Sequence, residues 1–282
     1  MIDFTKLTGI EHDGKVVTQI EDSAGRVLWV VQSNEPIVLE VEKVISNTYA
    51  GETTYENEEF ILLDIYPKTN GTVSVTYGGL TKTITDTSGA DEPNAQRVFF
   101  GTFNGVTDEV ATPTSGTLTI EGEYYAFGCG SHTQSKTLSV VCSCITSIVE
   151  WGNVTFIPIK AFKECAKLSI SAVPEGVTKI EKEAFYSISG DKMYYSDIIL
   201  PSSLKEMYLG AFGTAPIMTS EDYAMQARRI IMLATTPPTM SDSDYIISAY
   251  DGFGIIVPKG CSNAYKSAEG WKKFQSYIVE AT

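Results

Sequence analysis

The pair Ala-Phe recurs three times in the second half of the chain, with its phenylalanine at 162, 185 and 212, so that the copies stand 23 and 27 residues apart. A near-constant period in the twenties marks stacked supersecondary units, each too small to bury its own apolar face and each closing that face against its neighbour. The copies are "VTFIPIKAFKECAKL" from Val154, "VTKIEKEAFYSI" from Val177 and "LKEMYLGAFGTA" from Leu204. In each, an apolar residue (Ile157, Ile180 or Met207) precedes the pair by the same interval. Residues so placed stack into a continuous ladder when coil lies on coil. Within one unit, "PEGVTKIEKEAFYSI" turns the chain at Pro174 to Gly176, continues as a strand and finishes like the start of a helix. It reads as scaffold, with Val177 and Ile180 facing the stack.

These residues resemble the BspA-type leucine-rich repeat family, whose units run from a leucine and an apolar pair through a proline turn to valine-threonine-x-isoleucine and Ala-Phe-x-x-Cys-x-x-Leu. Cys165 falls at that family's buried cysteine, and Leu168 opens the following unit. "RRIIMLATTPPTM" and "FGIIVPKGCSNAYKSAEGWKKF" are similar to the ending of such arrays, with a Val-Pro-Lys-Gly turn and a tryptophan-bearing helix. The resemblance implies a short α/β leucine-rich-repeat solenoid over residues 144–282, closed by a C-terminal cap. It also implies binding or adhesion rather than catalysis. Trp151 stands where the family has proline, Ser171 where it has an apolar strand residue, and "SGDKMYYSD" and "TAPIMTSEDYAMQA" enlarge two units.

From 34 to 143 the text is rich in threonine, valine, tyrosine and glycine, in short alternating runs such as "TVSVTYGG" and "GTLTIEGEYYAF" broken by turn signals. This predicts an all-β, immunoglobulin-like antiparallel sandwich. Alternation places Val73, Val75 and Tyr77 on one face of a strand and the hydroxyls of Thr72, Ser74 and Thr76 on the other. Residues 1–33 read as a β-hairpin attachment segment around Asp22-Ser23-Ala24-Gly25. Trp29 either anchors that segment in an assembly or packs on the sandwich. "KVVTQIEDSAGRVLW" and "VFFGTFNGVTDEVATPTSGTLTIEGEYYAFGCGS" are similar to segments of tail or structural proteins of prophages in gut Firmicutes. The fold expected for the whole is therefore multi-domain: an all-β sandwich followed by an α/β solenoid.

Lysine and arginine total 21 against 35 acidic residues, a net charge of −14 that repels phosphate backbones and argues against a nucleic-acid partner. No apolar run reaches the roughly 18–20 residues of a membrane-spanning helix, and "MIDFTKLTGIEHDGK" does not read as a secretion signal. The five cysteines, at 129, 142, 144, 165 and 261, are odd in number and scattered, and read as buried or inert thiols. Neither they nor His12 and His132 show the spacing of a zinc site.

The search for chemistry returns weak patterns. Gly128-Cys129-Gly130-Ser131-His132 sets a thiol near an imidazole, but lacks the order of a nucleophile elbow and reads first as a glycine-loosened strand or turn. Asp242-Ser243-Asp244 lacks the glycine and glutamate of a calcium loop, Glu121 and Glu123 read as a solvated edge, and Gly252-Phe253-Gly254 is a fragment of a dinucleotide fingerprint that suits a turn. No catalytic residue, metal ligand or cofactor is expected.

Recognition is the remaining reading. Tyr186, Tyr194, Tyr195 and Tyr223 lie in or beside the two insertions, where tyrosine offers large contact area at low entropic cost, or else covers the enlarged repeats' own apolar surface. Ser147, Val149, Ile170, Ala172, Asp197 and Ile199 are the alternative contact face. The expectation is a non-enzymatic, extracellular binding or adhesion protein on a virion tail or bacterial surface, with a protein or glycan partner and room for homo-oligomers. A structural virion component packing against sister chains is the alternative, and a hydrolase using a cryptic cysteine a remote one.

Overall fold

The computed structural model describes residues 10–12, 15–17, 19–21, 27–30, 36–50, 53–86, 95–103, 105–129, 144–162, 165, 168, 170–185, 196–208, 211, 227–241 and 254–282. Near the N-terminus, β1 (Ile10–His12) pairs with β2 (Lys15–Val17) and β3 (Gln19–Glu21) with β4 (Val27–Val30), both antiparallel. The second pair flanks the Asp22 to Gly25 tetrad. Trp29 lies on β4, and its side chain falls outside the described residues.

The following strands are β5 (Ile37–Glu42), β6 (Val44–Ala50), β7 (Thr53–Pro67), β8 (Thr72–Tyr77), β9 (Leu80–Thr85), β10 (Gln96–Phe103), β11 (Val106–Thr107), β12 (Ser115–Gly122), β13 (Tyr124–Cys129) and β14 (Ile145–Glu150). They form two antiparallel sheets, one ordered β14-β5-β12-β8-β9, the other β11-β10-β7-β13 with β6 also on β7. Alternation decides what each strand buries. Val73, Val75 and Tyr77 of β8 turn inward with Ile37, Leu39 and Val41 of β5, while Thr72, Thr81, Thr83 and Thr85 stay exposed. Tyr77 meets Phe100 of the opposite sheet edge-on, with centroids 5.7 Å apart. The segment that opens the repeat half, β14, is itself a strand of the first sheet, hydrogen-bonded to β5.

Beyond Trp151 the pairing becomes parallel. The strands β15 (Phe156–Ile157), β16 (Lys179–Ile180), β17 (Ser196–Leu200), β18 (Glu206–Tyr208), β19 (Ala227–Met232), β20 (Thr239–Ser241), β21 (Gly254–Val257) and β22 (Ile278–Glu280) make two sheets, β15-β16-β18-β20 and β17-β19-β21-β22. Ile157 pairs in register with Ile180, and Ile180 with Met207, all fully or almost fully buried, so the ladder expected from their spacing is present. Phe162 and Phe185 stack with centroids 5.6 Å apart and an interplanar angle of 16°. Amides bind coil to coil: Phe162 N–H donates to Ala184 O and Phe185 N–H to Ala211 O, each at 2.8 Å. A second file of such bonds runs from Thr239 N to Lys205 O, Lys205 N to Thr178 O, Thr178 N to Thr155 O and Thr155 N to Tyr125 O on β13. The parallel stack thus grows directly from the antiparallel half. Trp151 is buried there and packs against Phe127 and Phe162.

The expected class, an all-β sandwich followed by an α/β solenoid, is overturned. Strands dominate both halves, and among the described residues the one α-helix, α1 (Ser262–Ser267), sits in the closing segment. Among the described residues the first two Ala-Phe pairs lie in turns, and Lys160 and Glu183 just before them both hold φ at 57°, a left-handed conformation that a right-handed helix cannot include. Ala161 N–H donates to Pro158 O and Ala184 N–H to Glu181 O, bonds that close one turn each.

The last coil ends in a cap. Tyr265 of α1 and Trp271 are buried edge to face, centroids 4.8 Å apart. Tyr265 donates its hydroxyl to Ala234 O at 2.7 Å, and Trp271 Nε1–H donates to Pro238 O at 2.8 Å. Burial raises the Tyr265 phenol above its ordinary pKa, which keeps that donor protonated. Gly270 (φ 78°) lies so close to β20 that a Cβ there would come within 2.8 Å of Met240 Cβ.

Candidate binding face

Four strands of the parallel stack carry aliphatic residues in adjacent pairs: Ile198-Ile199, Ile230-Ile231, Ile255-Ile256 and Ile278-Val279. Neighbours on a strand point to opposite faces, so each pair supplies one residue to each side of the sheet. Ile198, Ile230, Ile255 and Ile278 form the inner row, none more than 4% exposed. Ile199 pairs with Ile231, Ile231 with Ile256 and Ile256 with Val279, which sets a second aliphatic row in register on the outer side. The first three are partly exposed, and Val279 is 52% exposed. At about 4.8 Å per strand, the row is about 14 Å long.

One rung along, Arg229 grips Asp197: Nε donates to Oδ1 at 2.9 Å and Nη2 to Oδ2. The carboxylate, hydrogen-bonded to the guanidinium and beside it, raises the Arg229 pKa above its ordinary value. Both charges are spent on each other, so this pair adds no net charge beside the row. Parallel strands with aliphatics on both faces are ordinarily buried on both faces. Among the described residues no layer covers the outer face, and its aliphatic row stays partly exposed.

The structure redistributes the residues nominated from sequence. Asp197 and Ile199 lie on this face, half-buried, and Ser147 and Val149 are exposed on β14, Val149 to 49%. Ile170 and Ala172, taken as exposed contact positions, are instead buried at 4% and 5%. The cause is a bridge from Ala172 to Ile199, in which Val173 N–H donates to Ile199 O and Ile199 N–H to Ser171 O, both at 2.9 Å. Tyr186, Tyr194, Tyr195 and Tyr223 lie outside the described residues, as do His132, Asp242, Asp244 and the Cys129 side chain. Glu121 and Glu123 are exposed, and Gly254 begins β21. Cys144 and Cys165 are buried thiols, Cys144 donating to Leu62 O at 3.4 Å, and Cys261 is a half-buried thiol.

Sequence reading missed Arg229, Ile231, Ile256 and Val279. Their signal was present as doubled β-branched residues in "RRIIM", "FGIIVP" and "YIVE", a pattern that parallel strands use. Among the described residues, no group of three or more His, Cys, Asp or Glu is placed to hold a metal ion. No protein-family model matches the chain, and no curated protein matches it.

Proposed function

We propose that the protein is a non-enzymatic binding or adhesion protein, working outside the cell on a virion tail or a bacterial surface, that offers the outer face of the β17-β19-β21-β22 sheet to a protein partner. The observation that carries this reading is the row Ile199, Ile231, Ile256 and Val279, aliphatic, in register and partly exposed. Covering a partly exposed isoleucine contributes on the order of 1 kcal/mol, so a partner that covers the row gains several. Specificity would come from the Asp197–Arg229 pair at its rim. A glycan fits less well, because its hydroxyls would lose water against a row that returns no hydrogen bonds. The repeats that resemble the BspA-type family, whose members bind or adhere, support the same reading.

The test is binding of the purified full chain to panels of immobilised proteins and glycans. The double substitution Ile231→Asp with Ile256→Asp is expected to weaken capture on protein surfaces at least tenfold, with the melting temperature held. Binding that survives the double substitution, or binding confined to glycans, removes this reading.

A further inference from the structure

Exposed sheet edges invite pairing with another chain, and proteins blunt them with inward charges, bulges, very short strands or covering segments. Most edges described here are blunted in one of these ways. On β9, Lys82 turns inward to Phe99 O (2.6 Å) and Asp108 Oδ1 (2.5 Å). Pairing of β14 with β5 and of β6 with β7 is broken by register shifts. Strand β11 has two residues, and β15 leans on Tyr125 of β13. Residues 171–173 bond to Ile199 on β17, and the closing segment is laid against β20 through Gly270 and Trp271.

Strand β22 differs. It has no proline, lysine or bulge, and its one charge, Glu280, is drawn back to accept the Ser262 amide at 3.1 Å. Ile255 N–H donates to Tyr277 O and Ala281 N–H to Val257 O, so the alternate residues Ile278 and Glu280 aim their backbone N–H and C=O away from β21. No described residue receives them. The cap that finishes one parallel sheet leaves the other unfinished.

We propose that β22 is a docking edge for a second copy of this chain, joined antiparallel about a two-fold axis at Val279. Each Ile278 then exchanges backbone hydrogen bonds with the second copy's Glu280, and no like charges stand opposite each other. The outer aliphatic row runs on through Val279 into the same row of the second copy. A strand is the occupant because the unmet groups are a strand's, and a two-fold copy of this one meets Ile278 with Glu280 while keeping Val279 of both copies on one face. At three residues the contact is small, so association depends on concentration. The proposal does not rest on the outer face having a partner, and its test leaves Ile231 and Ile256 untouched.

Sedimentation velocity of the full chain is expected to show the average mass rising toward twice that of one chain between ~10 µM and ~1 mM, a range suited to small interfaces. With a net charge of −14 on each copy, added salt should strengthen the association. Hydrogen exchange at the upper concentration should slow the Ile278 and Glu280 amides at least tenfold. Val279→Lys, at an exposed position, should stay monomeric with its melting temperature unchanged. A constant mass, a dimer in which those two amides exchange as in the monomer, or a Val279→Lys variant that associates like the parent would each overturn the proposal.

Discussion

A single missing side chain joins the two kinds of sheet. Gly128, on β13, lies so near the first Ala-Phe turn that a Cβ there would stand 2.8 Å from Ala161 Cα and 2.9 Å from Ala161 O. Both are backbone atoms, which move only if the turn moves. Gly128→Ala is therefore expected to cost about 1–3 kcal/mol, as overpacking in a core does. At about 2 °C per kcal/mol for a chain of this size, the melting temperature should fall by about 2–6 °C, as a thermal scan would show. In the sequence this glycine drew notice only as part of Gly128-Cys129-Gly130, a loosened strand beside a thiol. Its reason is a neighbour more than thirty positions away in the chain, which no local pattern conveys. By contrast, Val73, Val75 and Tyr77 were legible because the period-two pattern depends on the strand alone.

At the scale of elements, the coil ladder was legible and the coil's class was not. Ile157, Ile180 and Met207 are placed by a fixed interval that survives both period lengths. "KEAF" is good helix text, but propensity yields to tertiary structure when the turn must cross to the next coil, and Glu183 takes a left-handed conformation to do so. The outer row escaped notice because its members stand 32, 25 and 23 residues apart, and the first interval contains an insertion. The closing element makes a pH prediction. Glu280 is held at a pKa of about 2, below the usual 4.5, by the Ser262 side chain and by the amides of Gly260 and Ser262. A carboxylate with a depressed folded pKa stabilises the fold above its unfolded value, and that contribution is lost as pH falls through the folded one. The cap is expected to loosen between pH 4.5 and about 2, read by the fluorescence of buried Trp271. Glu280→Gln should flatten that response.

Over the whole molecule, the antiparallel and parallel halves share one interior. Phe127 of β13 touches both Trp151 and Phe162, with centroids 5.9 and 5.6 Å apart, and Phe162 passes the contact to Phe185. Residues 34–143 and 144–282 read as separate domains from composition, yet β14 completes a sheet of the first and the backbone of β13 starts the stack of the second. Calorimetry is expected to show these halves melting in one transition, because neither interior closes without the other. Two resolved transitions would contradict that coupling. The file of amides from Thr239 to Tyr125 has one further consequence. Its bonds lie along the axis on which the coils pile, so a tensile load between the last coil and the sandwich would reach them one after another rather than together. Such a chain gives way from its capped end, a coil at a time, and the Tyr265 and Trp271 anchors are the clasp that must slip first.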